Sequence, residues 1–238
     1  LWKQEGHDLF VLPYRVVATG TNAGMIEVVV NSKTTAEIHK ECGGGALGAL
    51  KEDVLWSYLR KHVENRPAEE QARRVFAMSC AAYCVITYIL GIGDRHNDNI
   101  MVQSTGNLFH IDFGFILGNF LKFAGIDRET TPFVLTREMV YVMEGQNSET
   151  YKKYFLPSCF TGYNILRRHA HLFLSLFSMM LSTGMPNLQK ADDLAYFKDA
   201  IKLGLSNEEA EKDFERLIKT SLKNTRIYLN NVVHIWAN

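Results

Sequence analysis

The densest group of chemically versatile side chains in this sequence is the run GDRHNDN at residues 93–99. It combines an imidazole, a guanidinium, two carboxylates and two amides in one short segment. Histidine changes its charge near neutral pH and can accept a proton from a hydroxyl group. Carboxylate and amide oxygens are the donors that suit Mg²⁺. A loop this rich in chemically versatile side chains suits catalysis.

The residues after this run predict a β-hairpin. Two short apolar runs, at 100–103 and 108–111, flank a turn signal at 104–107. Asn99 stands just before the first strand and Asp112 just after the second. Antiparallel pairing would place them side by side at the open end of the hairpin, with their Cα atoms roughly 5 Å apart. We therefore predict that Asn99 and Asp112 form an oxygen-donor site for Mg²⁺.

The tripeptide at 112–114, Asp-Phe-Gly, is the one whose Asp holds Mg²⁺ in kinases. Alone it is a weak signal, because it arises often by chance. Here it follows Asn99 by thirteen residues, and Asp94 precedes Asn99 by five. This spacing reproduces the kinase order of base, metal-binding Asn and metal-binding Asp. The combined pattern predicts a phosphotransferase.

An apolar stretch, Val75–Ile92, directly precedes the run at 93–99, and a buried helix there would hold that loop rigidly. The stretch has eighteen residues without a charge, which barely reaches the length of a bilayer span. Ser79 and Thr87 interrupt its apolar character. We therefore favour a buried core helix over a membrane helix.

The other segments predict an α+β fold that is mostly helical. Strands are predicted at Leu9–Leu12, Tyr14–Val17 and Met25–Val30. Helices are predicted from Asp53, over 68–90, from Thr136, over 150–183 with a Met-rich core stretch, over 190–203, and from the capping box at Ser206. The glycine-rich run at 43–48 lacks the Gly-Lys-Ser/Thr ending of a phosphate loop, so we favour a flexible connection between helices.

The overall composition limits the classes of function. The 238 residues balance 26 Lys and Arg against 26 Asp and Glu, which argues against a nucleic-acid partner bound through a broad basic surface. Four cysteines without a zinc-like spacing indicate free thiols in a reducing compartment, so we expect a cytoplasmic protein. The N-terminus lacks both an initiator Met and a signal-like pattern, and the chain is interpreted as starting within a longer protein.

Longer motifs carry a specific resemblance. The segments GDRHNDNIM, GNLFHIDFG, PFVLT at 132–136 and LFSMML at 176–181 are similar to the C-terminal lobe of a phosphoinositide 3-kinase, most of all class I. The inverted order Asp-Arg-His, in place of His-Arg-Asp, distinguishes this family. The match runs from residue 1 to about residue 220.

The resemblance implies the large (C-terminal) lobe of a protein-kinase-like fold, with a short β hinge region and a catalytic β-hairpin. Residues 1–30 would be a remnant of the small lobe and hinge, and residues 31–238 the C-terminal lobe. The implied parts of that lobe are a catalytic loop at 93–99, an activation loop at 112–132 and a C-terminal helix at 206–236. For that helix we favour packing on the lobe over membrane contact, with Trp236 as the better membrane-contacting residue.

The resemblance also implies catalytic roles. His96 would accept or relay the proton of the inositol 3-hydroxyl, and Asp94 would be either the rival base or the group that orients His96. Asn99 and Asp112 would be the Mg²⁺ ligands. Arg95 would either pin the loop through hydrogen bonds or touch phosphate, since a guanidinium suits both.

ATP contacts are implied by resemblance alone. Glu27 and Val29 match the hinge, where backbone groups pair with adenine. Met101 and Ile111 match residues that lie beneath adenine, although both are also explicable as core. Tyr14 matches a pocket-lining tyrosine.

The implied lipid-reading segment lies within the activation loop. Headgroup phosphates need Lys or Arg, and this segment offers only Lys122 and Arg128. Class I members carry a more basic loop, and they have His where this chain has Phe115, a residue familiar from phosphoinositide 4-kinases. These departures weaken the assignment of a doubly phosphorylated lipid.

The sequence therefore predicts a lipid kinase fragment that transfers the ATP γ-phosphoryl group, with Mg²⁺, to the 3-hydroxyl of a phosphatidylinositol headgroup. The alternatives are a phosphatidylinositol 4-kinase, a related protein kinase, or a non-catalytic binding module. The expected partners are a phosphoinositide at a membrane surface, to which the protein would be peripheral, the remaining domains of the parent chain and a regulatory subunit. The Gly- or Ser-containing phosphate loop and the strand Lys of a small lobe are not found before Met25, so we expect the isolated fragment to be inactive.

Overall fold

The computed structural model describes residues 1–43, 51–120 and 131–223, together with the backbone of 122–123 and 126–127. Its helices are α1 (Thr35–Cys42), α2 (Val54–Arg60), α3 (Arg66–Ile89), α4 (Arg137–Val142), α5 (Leu156–Arg168), α6 (Ala170–Met180), α7 (Ala195–Ile201) and α8 (Asn207–Lys223), with a π-helical turn at Tyr151–Phe155 and a 3₁₀ turn at Ala191–Leu194. Its strands are β1 (Val16–Gly20), β2 (Ala23–Ile26), β3 (Ser32–Thr34), β4 (Ile100–Gln103), β5 (Leu108–His110), β6 (Lys122–Phe123) and β7 (Ile126–Asp127). This mostly helical α+β architecture confirms the predicted fold class.

The long helix α3 is the centre of the core. Asn65 caps its N-terminus by accepting a hydrogen bond from the Ala68 N–H at 3.0 Å. The polar side chains within the apolar stretch are satisfied, because the Thr87 hydroxyl donates to the Tyr83 carbonyl and the Ser79 hydroxyl to the Val75 carbonyl. Among the described residues, no helix combines the length and hydrophobicity that a membrane span requires. The interpretation of this stretch as a buried core helix is confirmed.

A three-stranded antiparallel sheet, in the order β3-β4-β5, rests on α3. Strands β4 and β5 form the predicted hairpin, in which Ile100 faces His110 and Met101 faces Phe109. The Ser79 hydroxyl accepts a hydrogen bond from the Leu108 N–H at 3.0 Å and so fixes β5 to the helix. The hairpin is therefore anchored to the core at the end opposite to Asn99 and Asp112.

The N-terminal residues differ from the prediction. Instead of a strand at residues 9–12, Leu9 is buried beside Gly162 on α5, and the Trp2 Nε1–H donates to the Gly162 carbonyl at 3.0 Å. Residues 1–9 thus pack on the helical lobe. Strands β1 and β2 then form a hairpin with exposed side chains. The division of the chain at residue 30 stays a prediction.

The C-terminal helices agree with the prediction at their starts. Thr136 caps α4 by accepting from the Met139 N–H, and Ser206 forms a capping box with Glu209 before α8. Helix α8 ends at Lys223, and the remainder of the predicted helix to residue 236, including Trp236, lies outside the described residues. The predicted connection at 43–48 does lie between two helices, but only Gly43 of it is described.

The predicted Met-rich core stretch is wrong. The helical region that begins near 150 is divided at His169, and Ala170 is the one buried residue of α6. Met179 is 64% exposed, and Leu172 and Leu176 are also exposed. An apolar sequence without a charged face does not reveal which side of a helix is covered, and here packing covers little of it.

Two glycines allow the segments on either side of the hairpin to touch. Gly91 follows α3 and Gly118 follows the hairpin, and the Gly118 N–H donates to the Gly91 carbonyl at 3.1 Å. Both have positive φ angles, +54° and +76°. The Tyr196 ring lies against both, and its hydroxyl donates to the Tyr88 carbonyl at 2.9 Å. This contact holds the segment after the hairpin against the segment that follows α3.

We expect Gly91→Ala to destabilise the protein by about 2 kcal/mol more than Gly184→Ala, because overpacking typically costs 1–3 kcal/mol. A Cβ at Gly91 would lie 2.3 Å from the backbone nitrogen of Gly118, whereas a Cβ at Gly184 would meet no atom within 4 Å. Both positions have positive φ, so both variants carry backbone strain and the difference between them reports the close contact at Gly91. Thermal unfolding measures the difference, and equal melting temperatures for the two variants would contradict the close approach.

His110, on β5, is a buried titratable residue. Its exposed fraction is 2%, and its ring stacks on Tyr83 with the ring centroids 4.9 Å apart. Its Nδ1 has no hydrogen-bond partner among the described residues. Burial, with a smaller contribution from the positive charge of Arg95, lowers the pKa of His110 to about 3. The folded chain therefore keeps this imidazole neutral.

We expect acid to destabilise the folded chain through His110. In the unfolded chain its pKa is about 6.5, so between pH 6.5 and about 3 the unfolded state binds a proton that the folded state does not. Between pH 7 and pH 5 this costs about 2 kcal/mol of stability. Urea unfolding at these two pH values should show a smaller loss for His110→Gln than for the wild type, while the exposed His7→Gln should keep the wild-type loss. Identical losses in all three proteins would contradict the assignment.

Candidate active site

The predicted catalytic loop, residues 93–99, is fixed at its centre by the start of α1. The Thr35 hydroxyl and the Ala36 N–H both donate to the Asn97 carbonyl, at 2.9 and 3.1 Å. Asn97 is 5% exposed, so this anchor is inside the protein. The Gly93 N–H donates to the Phe115 carbonyl at 3.0 Å and ties the loop to the segment after the hairpin. The loop is therefore held from two sides.

His96 lies between two carboxylates. Its Nε2 is 3.8 Å from Asp94 Oδ2, and its Nδ1 is 3.8 Å from Asp98 Oδ2. The Asp98 N–H also donates to His96 Nδ1 at 3.2 Å. Side chains of His96 and Asp94 are about one-fifth exposed, so the imidazole is both held and accessible to a substrate. This arrangement suits a residue that takes up or relays a proton.

Asn99 joins the loop to the hairpin. Its Nδ2 donates to the Asp94 carbonyl at 2.8 Å and lies 3.1 Å from His96 Nε2. The backbone carbonyl of Asn99 accepts a hydrogen bond from the Ile111 N–H at 3.1 Å, so Asn99 pairs with the residue next to Asp112. The amide nitrogen of Asn99 is therefore used within the loop.

Arg95 fastens the loop to the far side of the hairpin. Its Nε donates to the Gly93 carbonyl at 2.8 Å and one terminal nitrogen to the Ile111 carbonyl at 2.6 Å. The other terminal nitrogen donates to the Asp112 carbonyl. All three guanidinium nitrogens thus bond backbone oxygens, a use to which the rigid planar fork of arginine is suited. In this arrangement Arg95 positions the backbone of Asp112.

Two of the three acidic residues in this region have unusual backbone conformations. Asp94 and Asp112 have φ angles of +56° and +59°, in the left-handed region that few residues other than Gly adopt. The Asp112 carboxylate accepts a hydrogen bond from the Gly114 N–H at 3.3 Å, which supports the turn locally. Strained backbone positions of this kind cluster at functional sites, where the surrounding structure maintains them.

The predicted ATP-binding residues lie in two places. Met101 and Ile111 are half-buried on the hairpin, and Tyr14 is beside them, its hydroxyl 3.5 Å from the His110 carbonyl. Burial raises the pKa of Tyr14. Glu27 extends the β1–β2 hairpin, exchanging hydrogen bonds with Arg15 at 2.8 and 2.9 Å. Val29 is half-buried against the core, just before β3.

A family model described as phosphatidylinositol 3- and 4-kinase matches residues 1–190. The chain belongs to the phosphatidylinositol 3- and 4-kinase family. The matched region contains the catalytic loop, the hairpin and the whole segment through Thr136. The residues described above therefore belong to a chain of this family.

Curated relatives agree with this assignment. Phosphatidylinositol 3-kinase 1 and phosphatidylinositol 3-kinase 3 of Dictyostelium discoideum are 49% and 45% identical to the chain, and the human phosphatidylinositol 3-kinase C2 domain-containing subunit gamma is 40% identical. Each comparison covers 100% of this chain and 15%, 14% and 16% of the respective relative. The resemblance to phosphoinositide 3-kinases is confirmed, whereas the nearer similarity to class I stays a prediction. The chain spans about one-seventh of the length of these relatives.

The headgroup-binding prediction falls largely outside the described residues of this kinase-family chain. Lys122 is in β6, whose backbone pairs with β7 so that Lys122 faces Asp127. Arg128 lies outside the described residues. The roles of both residues stay predictions. Phe115 is half-buried, and its carbonyl accepts the Gly93 N–H, so its backbone contributes to holding the catalytic loop.

Several positioning residues of the kinase lobe were not predicted. Thr35 anchors Asn97 from 62 positions away, and Tyr196 reaches Tyr88 across 108 positions. Neither belongs to a motif, so no local signal could have identified them. Asp98 stands within the predicted loop, and its place two residues after His96 was the available signal for its contact with the imidazole.

Proposed function

We propose that this chain is the catalytic lobe of a lipid kinase that transfers the ATP γ-phosphoryl group to the 3-hydroxyl of a phosphatidylinositol headgroup. The observation that carries the proposal is the convergence at the hairpin's open end, where Asn99 pairs with Ile111, Asp112 follows, and His96 lies beside Asn99. The names of the relatives, all phosphatidylinositol 3-kinases, support the 3-hydroxyl over the 4-hydroxyl.

In this proposal His96 handles the proton of the attacking hydroxyl. Its imidazole is accessible and is flanked by Asp94 and Asp98, whose carboxylates would stabilise the positive charge that it acquires. Asp94 Oδ2 lies 3.8 Å from His96 Nε2, close enough to orient the imidazole or to act as the base itself. Substitution of Asp94 distinguishes these two roles, because each predicts a different loss of reaction rate.

Asn99 and Asp112 would hold Mg²⁺. An amide oxygen and a carboxylate fit this hard cation, which completes its shell with water and phosphate oxygens. The described residues contain no cluster of three or more His, Cys, Asp or Glu side chains that would form an all-protein metal cage. When bound, Mg²⁺ neutralises charge on the β- and γ-phosphate oxygens. Arg95 donates a hydrogen bond to the backbone carbonyl of Asp112 and is a positioning residue in this proposal.

The nucleotide and lipid contacts complete the proposal. Adenine would lie near Met101, Ile111 and Tyr14, with hinge hydrogen bonds from the backbone of Glu27 and Val29. Lys122 and Arg128 would meet headgroup phosphates. The exposed apolar side chains of the β1–β2 hairpin support packing against other domains of a parent chain. The protein would act in the cytoplasm, peripheral to a membrane, with a regulatory subunit as a further partner.

Product analysis tests the proposed function. A parent kinase containing this chain is incubated with Mg²⁺–ATP and with phosphatidylinositol, its 4-phosphate or its 4,5-bisphosphate, and the newly phosphorylated hydroxyl is identified. Phosphorylation of the 3-hydroxyl in at least one lipid is the expected result. Product at the 4-hydroxyl alone would make it a 4-kinase, and label found in protein instead of lipid would make it a protein kinase; either outcome would overturn the proposal.

A further inference from the structure

The connection between α6 and α7 contributes a side chain to the catalytic region. Asn187 is half-buried in this connection, and its amide group lies against the segment that begins the activation loop. This contact joins parts of the chain that are about 70 residues apart in sequence. No motif marks Asn187, and it is absent from the residues assigned above to ATP, Mg²⁺ or lipid.

The amide of Asn187 holds two points of that segment at once. Its Nδ2 donates to the Gly114 carbonyl at 2.9 Å, and its Oδ1 accepts from the Asn119 side-chain amide. Donor and acceptor are therefore both used, each on a different residue. A single side chain thus fixes the backbone at the start of residues 114–119 and a side chain at their end.

The residues just before Gly114 are held by a different side chain. Arg95 bonds the carbonyls of Ile111 and Asp112, so the metal-binding end is fixed from the catalytic loop. Asn187 bonds Gly114 and Asn119, and it reaches Asp112 only through Gly114, whose N–H donates to the Asp112 carboxylate at 3.3 Å. Loss of the Asn187 contacts should therefore loosen residues 114–119 more than Asp112, whose backbone carbonyl Arg95 still holds.

We propose that Asn187 is a positioning residue for the lipid acceptor: it fixes the first part of the activation loop and thereby sets the productive placement of the headgroup. This inference rests on the proposed lipid kinase function. Misplacement of a reacting group by about 1 Å can cost about 10²-fold in rate. Loss of Asn187 should therefore change the kinetic constants for the lipid more than those for ATP, because Arg95 separately holds the backbone of Ile111 and Asp112.

Steady-state kinetics of the parent kinase test this. We expect Asn187→Ala to lower kcat/KM for the lipid by roughly 10- to 100-fold, mainly through a higher lipid KM, while the KM for ATP changes less than about threefold. Asn119→Ala removes one of the two contacts and should give a smaller loss. The double variant should be no worse than Asn187→Ala, since the two residues act through one contact. Gln189→Ala, an exposed neighbour in the same connection, is the matched control and should behave as the wild type.

The outcomes separate this inference from the proposed function. A wild-type enzyme that phosphorylates no lipid would refute the proposed function. A wild-type enzyme that is active, with an unchanged lipid KM in Asn187→Ala and Asn119→Ala, would refute the inference alone. An equal rise in both KM values would also refute it, because it would show a general structural role. Faster amide hydrogen exchange across 114–119 in Asn187→Ala, with ATP binding retained, provides support that does not depend on lipid turnover.

Discussion

Asp112→Asn should lower phosphotransfer by about 10³-fold or more and should weaken Mg²⁺-dependent ATP binding at the same time, since a bound metal contributes several kcal/mol of charge stabilisation. Asparagine keeps the shape of the side chain and tolerates the left-handed backbone at this position, where φ is +59°. It removes only the negative charge that a divalent cation needs. Both defects are therefore expected to come from the metal and not from a misfolded loop.

The measurement compares ATP affinity and lipid phosphorylation over a range of Mg²⁺ concentrations in the parent kinase. Asp112→Asn should need far more Mg²⁺ than the wild type to reach half of its own maximal ATP binding. Asp192→Asn, which removes an exposed carboxylate from the 3₁₀ turn, is the matched control and should leave the Mg²⁺ dependence unchanged. Normal Mg²⁺–ATP affinity in Asp112→Asn would show that this carboxylate does not hold the cation.

The central part of the site could be predicted because its residues are close in sequence. Asn99 and Ile111 lie at the two ends of one hairpin, so the two apolar runs and the turn signal between them were enough to predict that these ends meet. The long helix before the loop was equally clear from its apolar run. Both elements could be predicted because they depend on residues that are close together in the sequence.

The supporting residues could not be predicted, because their contacts depend on tertiary packing. Asn187 and Tyr196 reach the hairpin region only after α6 and α7 have packed, and their identities carry no local signal. The same reason explains the error over α6, where Met179 was expected in the core and is exposed. Composition predicts that apolar residues tend to be buried, but it does not say which neighbours cover them.

The strain at Asp94 and Asp112 explains why so many of these supports are needed. Each left-handed residue is maintained by contacts from outside its own turn: Asn99 bonds the Asp94 carbonyl, and Arg95 bonds the Asp112 carbonyl. Residues in such conformations persist only when their surroundings fix them. The orientation of both acidic side chains therefore depends on hydrogen bonds to their own backbone carbonyls.

His96→Gln is expected to lower kcat by about 10² to 10⁴-fold while leaving the KM for ATP nearly unchanged, the range that loss of a general base produces. Glutamine retains polar atoms for the contacts with Asp98 and Asn99 but cannot accept a proton at neutral pH. The nucleotide side of the site, held by Asn99, Asp112 and Arg95, should be unaffected. Single-turnover transfer and equilibrium ATP binding in the parent kinase separate these two effects.

Two further variants are compared with His96→Gln: Asp94→Asn tests the role of Asp94, and His62→Gln is the control for the loss of a histidine. If Asp94 only orients His96 from 3.8 Å, Asp94→Asn should lose less activity than His96→Gln. A larger loss in Asp94→Asn would contradict a purely orienting role for Asp94 and would favour Asp94 as the base. The exposed His62→Gln should retain wild-type kcat, which would show that the loss belongs to the catalytic loop and not to histidine removal in general. If His96→Gln instead weakens ATP binding as much as Asp112→Asn does, the separation of proton transfer at His96 from metal binding at Asp112 is wrong.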